Sequence, residues 1–306
     1  MRTVFILLLV SIIISCKEQR ADLSLRLETG KEYRQNMNMK STAVQEVEGQ
    51  TINMEISTKA VMTYLVKSID ERGYVIDVKY GSLAMDMQTP YGPFVASSED
   101  NESGNIFSAV LGAMKNKPFE VVMAKTGKVL EVNNIENLID SAISQFDYMQ
   151  ISEEQKQQVK TQLMKAYGAE AFRGSTEMVT AIFPDNLVNK GDKWNVKTNM
   201  ESGMSVKITT DYELFDQTSD YFIIKGNSTI KTEDKDAYIE SNGMPTKYDL
   251  KGSMQSEIKV DKKTGWIIEA KINQEMYGDA YIKENPQMPN EMKFPMYINN
   301  VVMITN

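Results

Sequence analysis

Few side chains in this sequence are equipped for chemistry. It has no histidine and one cysteine, Cys16. That excludes disulfides within the chain, Ser-His-Asp and Cys-His catalysis, zinc sites built on His or Cys, and haem held by His. What remains is one thiol, the carboxylates and 21 methionine thioethers. Asp211 with Glu213, and Asp234 with Asp236, are spaced to share a strand face, as a glycosidase pair would. Both pairs stand among other polar residues, whereas a catalytic acid needs a desolvated pocket to raise its pKa. They read as solvated charges. Residues 99–110 approach a calcium loop in Glu99, Asn101, Ser103, Gly104 and Asn105, but Val110 stands where the bidentate glutamate belongs. Met37 with Met39 and Met85 with Met87 share strand faces, and Met288, Met292 and Met296 recur every four residues between prolines. Thioether clusters hold Cu(I) or form pliable apolar surface; without histidine the second reading is the better one. There is no phosphate-binding Gly-rich loop and no Gly-x-Ser-x-Gly elbow. The expectation is a protein that is not an enzyme and needs no cofactor or metal.

The charge balance and the N-terminus say where such a chain belongs. It has 34 Lys plus Arg against 42 Asp plus Glu, a net charge of −8, so a nucleic-acid partner is not expected. After Arg2, residues 3–15 carry no charge. A helix of that length spans only ~20 Å, short of the ~30 Å hydrocarbon core and suited to a signal peptide. The sequence Ile13-Ile14-Ser15-Cys16 resembles the bacterial lipobox. The resemblance implies a diacylglycerol thioether on Cys16, cleavage before it, and acylation of the new amino group. Several acyl chains give lasting attachment where one does not. The expected location is the bacterial cell envelope, lipid-anchored in the outer membrane through Cys16. Lys17-Glu18-Gln19 matches in part a surface-export signal of some Bacteroidota lipoproteins, which leaves the periplasmic or surface side open.

The elements that must carry the rest are mostly strands. Apolar residues alternate with polar ones in Val206-Ile208-Thr210-Tyr212-Leu214 and in Tyr248-Leu250-Gly252-Met254 continuing to Ile258-Val260, the mark of antiparallel strands with one wet face. Tyr74-Ile76-Val78-Tyr80 alternates too, and Gly81 shifts the parity so that Leu83, Met85 and Met87 continue it, which predicts a bulge. Ile135, Leu138, Ile139, Ala142, Ile143 and Phe146 fall on one helical face, and Val159, Leu163, Ala166 and Tyr167 on another. Ser152 to Gln155 reads as a capping box and Gly168 as a stop, with a shorter helix over 105–116. Two echoes suggest duplication. Gly30-Lys31-Glu32-Tyr33 is matched by Gly191-Asp192-Lys193-Trp194, and the Thr126-Gly127 turn by Thr264-Gly265.

These readings predict an α+β fold: two related modules of long antiparallel strands, half-barrel or sandwich-like, with a central helical pair packed on the sheet. A single continuous sheet is the alternative. The expected divisions are a signal peptide over 1–15, a tether over 16–22, β modules over 23–133 and 174–306, and a helical insertion over 134–173. The lipobox, the Gly-x-x-Tyr strand, the central helices, Phe183-Pro184 leading to Gly191-Asp192-Lys193-Trp194, and the late Thr-Gly hairpin together resemble an uncharacterised family of Bacteroidota lipoproteins. The resemblance implies localisation and no chemistry. The expected function is a non-catalytic, membrane-anchored envelope lipoprotein that binds a lipid or other apolar or amphipathic ligand between helices and sheet. Leu138, Ile139, Ile143, Phe146, Val159, Leu163 and Tyr167 are the candidate ligand- or core-facing residues. The alternatives are a structural or partner-binding subunit of an envelope protein complex and, behind it, a carboxylate-based hydrolase.

Overall fold

Alternation sustained for up to 20 residues makes strands much longer than the usual five or six, and one apolar face on each forces them into a shared sheet. A computed structural model describes residues 20–306 apart from 48, 91, 101–104, 145–151, 202–203, 242–243, 285 and 287–288. In the N-terminal half the strands are β1 (Glu32–Val47), β2 (Gln50–Ile69), β3 (Tyr74–Thr89), β4 (Gly92–Ser97), β5 (Pro118–Met123) and β6 (Val129–Asn133). In the C-terminal half they are β7 (Lys193–Glu201), β8 (Ser205–Gln217), β9 (Tyr221–Thr232), β10 (Ile239–Ser241), β11 (Met244–Asp261), β12 (Ile267–Ile282) and β13 (Met292–Thr305). The described helices are α1 (Ile106–Met114), α2 (Ile135–Ser144), α3 (Glu153–Tyr167) and α4 (Ala169–Thr180).

All the strands join one 13-stranded antiparallel sheet, ordered β6-β5-β3-β2-β1-β13-β12-β11-β9-β8-β7, with β4 beside β3 and β10 beside β11. Apart from these two short side strands, this is an up-and-down meander bent back on itself. The first and last strands, β1 and β13, pair from Asn36 opposite Thr305 to Gln45 opposite Met296. The sheet edges, β6 and β7, are consecutive strands separated by the helical segment, so the barrel is open at that one seam.

Helix α4 fills the seam, packing on β6 and on β7. The backbone N–H of Val129 on β6 donates to the buried Glu177 carboxylate at 2.8 Å, and Thr180 donates to the Gly127 carbonyl at 2.7 Å. On the β7 side the Trp194 indole donates to the Ile182 carbonyl at 2.8 Å. Burial pushes the Glu177 carboxyl above its ordinary pKa, against the opposing pull of that Val129 hydrogen bond. Gly127 has φ 82°, and a Cβ there would sit 1.7 Å from the Thr180 oxygen. Only glycine lets the hairpin approach α4 this closely.

One end of the barrel is closed by the segment before β1. Leu23, Leu25 and Leu27 are buried there. The segment bonds to three loops: Ala21 to Val188, Leu25 N–H to Lys125 O, and Arg26 N–H to Thr264 O. The Arg26 guanidinium adds bonds to the carbonyls of Lys262 and Lys263, and the Tyr74 hydroxyl donates to Leu25 O at 2.7 Å.

This architecture corrects the expected one. It is mostly β, with 58% of described residues in strands and 17% in helices, and it is one sheet rather than an α+β pair of modules with a central helical pair. Period-two alternation shows which face of each strand is buried, but not which strands are neighbours, and the β1–β13 pairing is what fuses the two halves. Several local expectations do hold. Gly81 is the extra residue of a bulge, because Ser82 pairs with Val61 and Tyr80 with Met62. Ser152 and Gln155 form a reciprocal capping box on α3. The turn glycines Gly30, Gly127, Gly191 and Gly265 all have positive φ.

Candidate functional site

Strand parity gives the sheet a concave and a convex face. Carried across the ladders, the concave positions include Met37 and Met39 on β1, Ile56 and Thr58 on β2, and Met85 and Met87 on β3. They continue through Asn300 and Val302 on β13, Ile272 and Gln274 on β12, and Met254 and Ser256 on β11. The convex positions between them carry the charges, paired across strands as in Lys259 with Glu269, Lys293 with Asp279 and Lys207 with Glu233. Among the described residues of β1 to β3, β8, β9 and β11 to β13, no Asp, Glu, Lys or Arg falls within the concave rows that these pairings define. The hollow is therefore uncharged along its sheet wall, a setting for apolar contact and dipolar hydrogen bonds.

The helices fill only part of that hollow. They pack chiefly on β4, β5, β6, β7 and β12, and a large core runs from the closed end into them. At the other end, β11, β12 and β13 run on beyond the helices. There Leu250, Ala280, Phe294 and Met296 form a second, smaller cluster, with Tyr248, Ile282, Ile298 and Met204 packed on it. Ile52, Met54, Ile56, Met85 and Met87 on the facing strands β2 and β3 are only half-buried. Met204 touches both clusters and stands where two clefts meet. One cleft of about 470 Å³ lies between α3, α4 and β10, lined by Met164, Ala171, Met204 and Ile239 among more polar groups. Another of about 230 Å³ reaches Tyr248. Both clefts also carry charged groups, Lys160, Glu170 and Glu240 in the first and Glu233 and Asp234 in the second, whereas the sheet wall beyond the helices is a methionine-rich apolar trough whose side chains can re-pack.

A polar band crosses the hollow. Asn300 and Gln274 face each other across β13 and β12, with Ser41 opposite Asn300 and Met254 opposite Gln274; Ser228 and Thr210 continue the row. Thr210 and Ser228 bond each other at 2.8 Å, and Asn300 donates to Gln274 at 2.6 Å. The Gln274 amide nitrogen, the Asn300 amide oxygen and the Ser256 hydroxyl have no protein partner. A buried polar atom left unpaired costs about 1–3 kcal/mol, so these three atoms call for partners beyond the protein's own groups.

The residues singled out from the helical stripes are distributed as follows. Leu138, Ile139 and Leu163 are buried in the large core, and Ile143, Val159 and Tyr167 pack against it. Ala166 is exposed. Cys16 and Phe146 lie outside the described residues, as do Asn101 to Gly104 of the calcium-like loop and Met288. Glu99 of that loop is paired with Lys115 at 2.7 Å. Asp211 accepts from Asn195 at 2.9 Å, Glu213 pairs with Lys193, and Asp234 and Asp236 are exposed. None of these carboxylates shares a cleft with a second, desolvated one. Among the described residues, no group of three His, Cys, Asp or Glu side chains could hold a metal, and no helix is long and apolar enough to cross a membrane. Trp266 is buried against Tyr33 and Tyr64. Trp194 is only half-buried, stacked on Tyr212.

Residues 71–267, well over half of the chain, match the model of a family of unknown function, DUF6263. The chain belongs to that family. The matched DUF6263 segment runs from the β2–β3 turn to the start of β12, so it includes the helical seam and the Thr264-Gly265 hairpin. No curated protein matches the sequence. Among solved structures, a chain titled for lipid-protein interactions in lipovitellin aligns with a TM-score of 0.48 and 8% identity, over 92% of this chain and 26% of that one. The present chain therefore spans about a quarter of that protein. The translocator domain of the autotransporter NalP from Neisseria meningitidis aligns with a TM-score of 0.18 and 8% identity, over 92% and 90% of the two chains. These scores are too low to carry any property across.

Proposed function

We propose that this protein is a non-catalytic lipoprotein of the bacterial cell envelope, of Bacteroidota type, that holds an apolar or amphipathic ligand in the open end of its barrel. The observation that carries the reading is the uncharged concave wall beyond the helices, where Ile52, Met54 and Ile56 are only half-buried on the same face as the buried cluster of Phe294 and Met296. Apolar surface left in water costs ~25 cal/mol per Å², so covering the rest of these half-buried side chains favours an apolar guest. The ligand site supported by this geometry lies on β2, β3 and β11 to β13; the α2 and α3 stripes pack into core.

Membrane attachment is supported by Ile13-Ile14-Ser15-Cys16. A lipid on Cys16 also sets an orientation. Ala21 bonds to Val188 at the closed end, and the five residues from Cys16 to Ala21 reach at most ~18 Å. The open end lies about 50 Å further along β12 at ~3.3 Å per residue. Anchored in this way, the protein sits with its closed end toward the membrane and its trough turned away, so ligand exchange proceeds with the aqueous compartment. The test is titration of delipidated full-length protein with N-phenyl-1-naphthylamine, an uncharged apolar fluorophore. Saturable fluorescence at one site per chain is expected; no saturable binding would remove the ligand reading. For the anchor, Cys16→Ser abolishes incorporation of a labelled fatty acid, and equal label in both proteins would remove the lipoprotein reading.

A further inference from the structure

The polar band on β11 to β13 is specific in its chemistry. Gln274 and Asn300 lie directly opposite on β12 and β13, and their mutual bond uses the Asn300 amide N–H and the Gln274 carbonyl oxygen. Left over, side by side, are one donor, Gln274 Nε2, and one acceptor, Asn300 Oδ1, with the Ser256 hydroxyl diagonally across on β11. Gln274 is 3% exposed and Ser256 7%, so solvent at the surface does not satisfy them. Buried donors and acceptors in native proteins find a partner in protein, ordered water or ligand. Further along the same row, Thr210 and Ser228 satisfy each other; Gln35 on β1 also has an unpartnered amide nitrogen, six residues from Ser41, so the unpartnered atoms that lie together on the wall are those on β11–β13. That is where the helix-filled core gives way to the second apolar cluster.

We infer that Gln274 and Asn300 receive the neutral, hydrogen-bonding head of a single-chain amphipathic ligand whose tail lies along the open trough. The inference rests on the reading of the trough as a ligand site. An adjacent donor and acceptor match a primary amide, a hydroxyl or an undissociated carboxylic acid, each of which both gives and takes one bond. An ionised head would lose its hydration there with no counter-charge on the sheet wall. Met254, opposite Gln274, and Met276, two residues along β12, are flexible enough to rotate aside as the head enters.

The test uses the full-length protein stripped of bound lipid, with displacement of N-phenyl-1-naphthylamine by four probes of equal chain length: hexadecanamide, hexadecan-1-ol, hexadecyl phosphate and hexadecyltrimethylammonium. The amide and alcohol are expected to bind at least tenfold more tightly than the two ions. Gln274→Met should weaken the amide about tenfold relative to the fluorophore, equivalent to ~1.4 kcal/mol. Asn300→Leu, at a half-buried position, should do the same and serves if Gln274→Met does not fold. Equal affinity for all four heads, or an amide affinity unmoved by both variants, overturns the head-group assignment while leaving the trough intact, with water then filling the band. Failure of the fluorophore and of every probe removes the trough reading itself, and this inference with it.

Discussion

The two ends of the barrel are built from the same alternation and treat it in opposite ways. At the closed end, the strap residues Leu23, Leu25 and Leu27 and the β3 and β2 residues Tyr74 and Val66 are buried, because the strap, the hairpins after β5 and β11 and the loop at Val188 cross over them. At the open end, Ile52, Met54, Ile56 and Met87 occupy the same concave face and remain half-buried. Both ends have the apolar face that a core needs; the closed end is covered throughout, whereas at the open end Leu250, Phe294 and Met296 are buried and the β2 and β3 wall is covered only in part. The difference separates stability from function. On the proposed function, apolar residues at the closed end hold the fold, whereas the half-buried ones on β2 and β3 serve the ligand at little cost to the fold.

Substitutions at the two ends should therefore differ in scale. The largest effect is expected at Trp266, buried against Tyr33 and Tyr64 with its indole donating to Arg34 O at 3.2 Å. Trp266→Ala should cost about 3–5 kcal/mol in urea unfolding. Trp194→Ala, at a half-buried site, should cost clearly less; equal losses would show that the seam is as tightly packed as the closed end. Leu25→Ala should follow at about 2–5 kcal/mol. Met54→Ala at the open end should cost under about 1 kcal/mol, because little buried area is lost. A Met54→Ala loss matching that of Leu25→Ala would break the contrast between the ends.

A smaller, pH-dependent effect should appear at the seam. Burial raises the Glu177 pKa in the folded protein, so the folded state holds that proton more tightly than the unfolded one. This contribution is present below the unfolded pKa and is lost as pH rises through the raised folded value. Glu177→Gln keeps an oxygen to accept the Val129 N–H. Its stability relative to wild type should therefore increase with pH from the ordinary glutamate range upward, then level off. A difference that stays flat with pH would mean that Glu177 titrates alike in both states.

Much of the local structure is legible in the sequence, because it depends on neighbours in the chain. The capping box of α3, the bulge at Gly81, the positive-φ turn glycines and the buried faces of β8 and β11 all follow from short-range pattern. What is not legible depends on distant partners. Nothing in β1 or β13 announces that each pairs with the other, and that pairing turns two apparent modules into one sheet. Gly168 ends α3 as its sequence suggests, but α4 starts directly after it, a second helix that no local pattern announces. The strap shows alternating leucines, but no local feature says that they cap a barrel. Of the candidate site, the apolar stripes are readable as buried. The trough is not, because its character comes from which strands outrun the helices. Gln274 leaves one faint signal, a lone amide in an otherwise apolar alternation from Ala270 to Met276.

What occupies the open end is read directly by native mass spectrometry of the full-length protein extracted from its own membrane. Wild type should carry a non-covalent adduct of lipid-like mass, one per chain, beyond the covalent acyl groups. Ile56→Asp, which puts a charge on the half-buried concave wall of β2, should fold normally and lose the adduct. A wild-type chain of bare covalent mass, or an adduct that survives the aspartate unchanged, would contradict ligand binding in the trough.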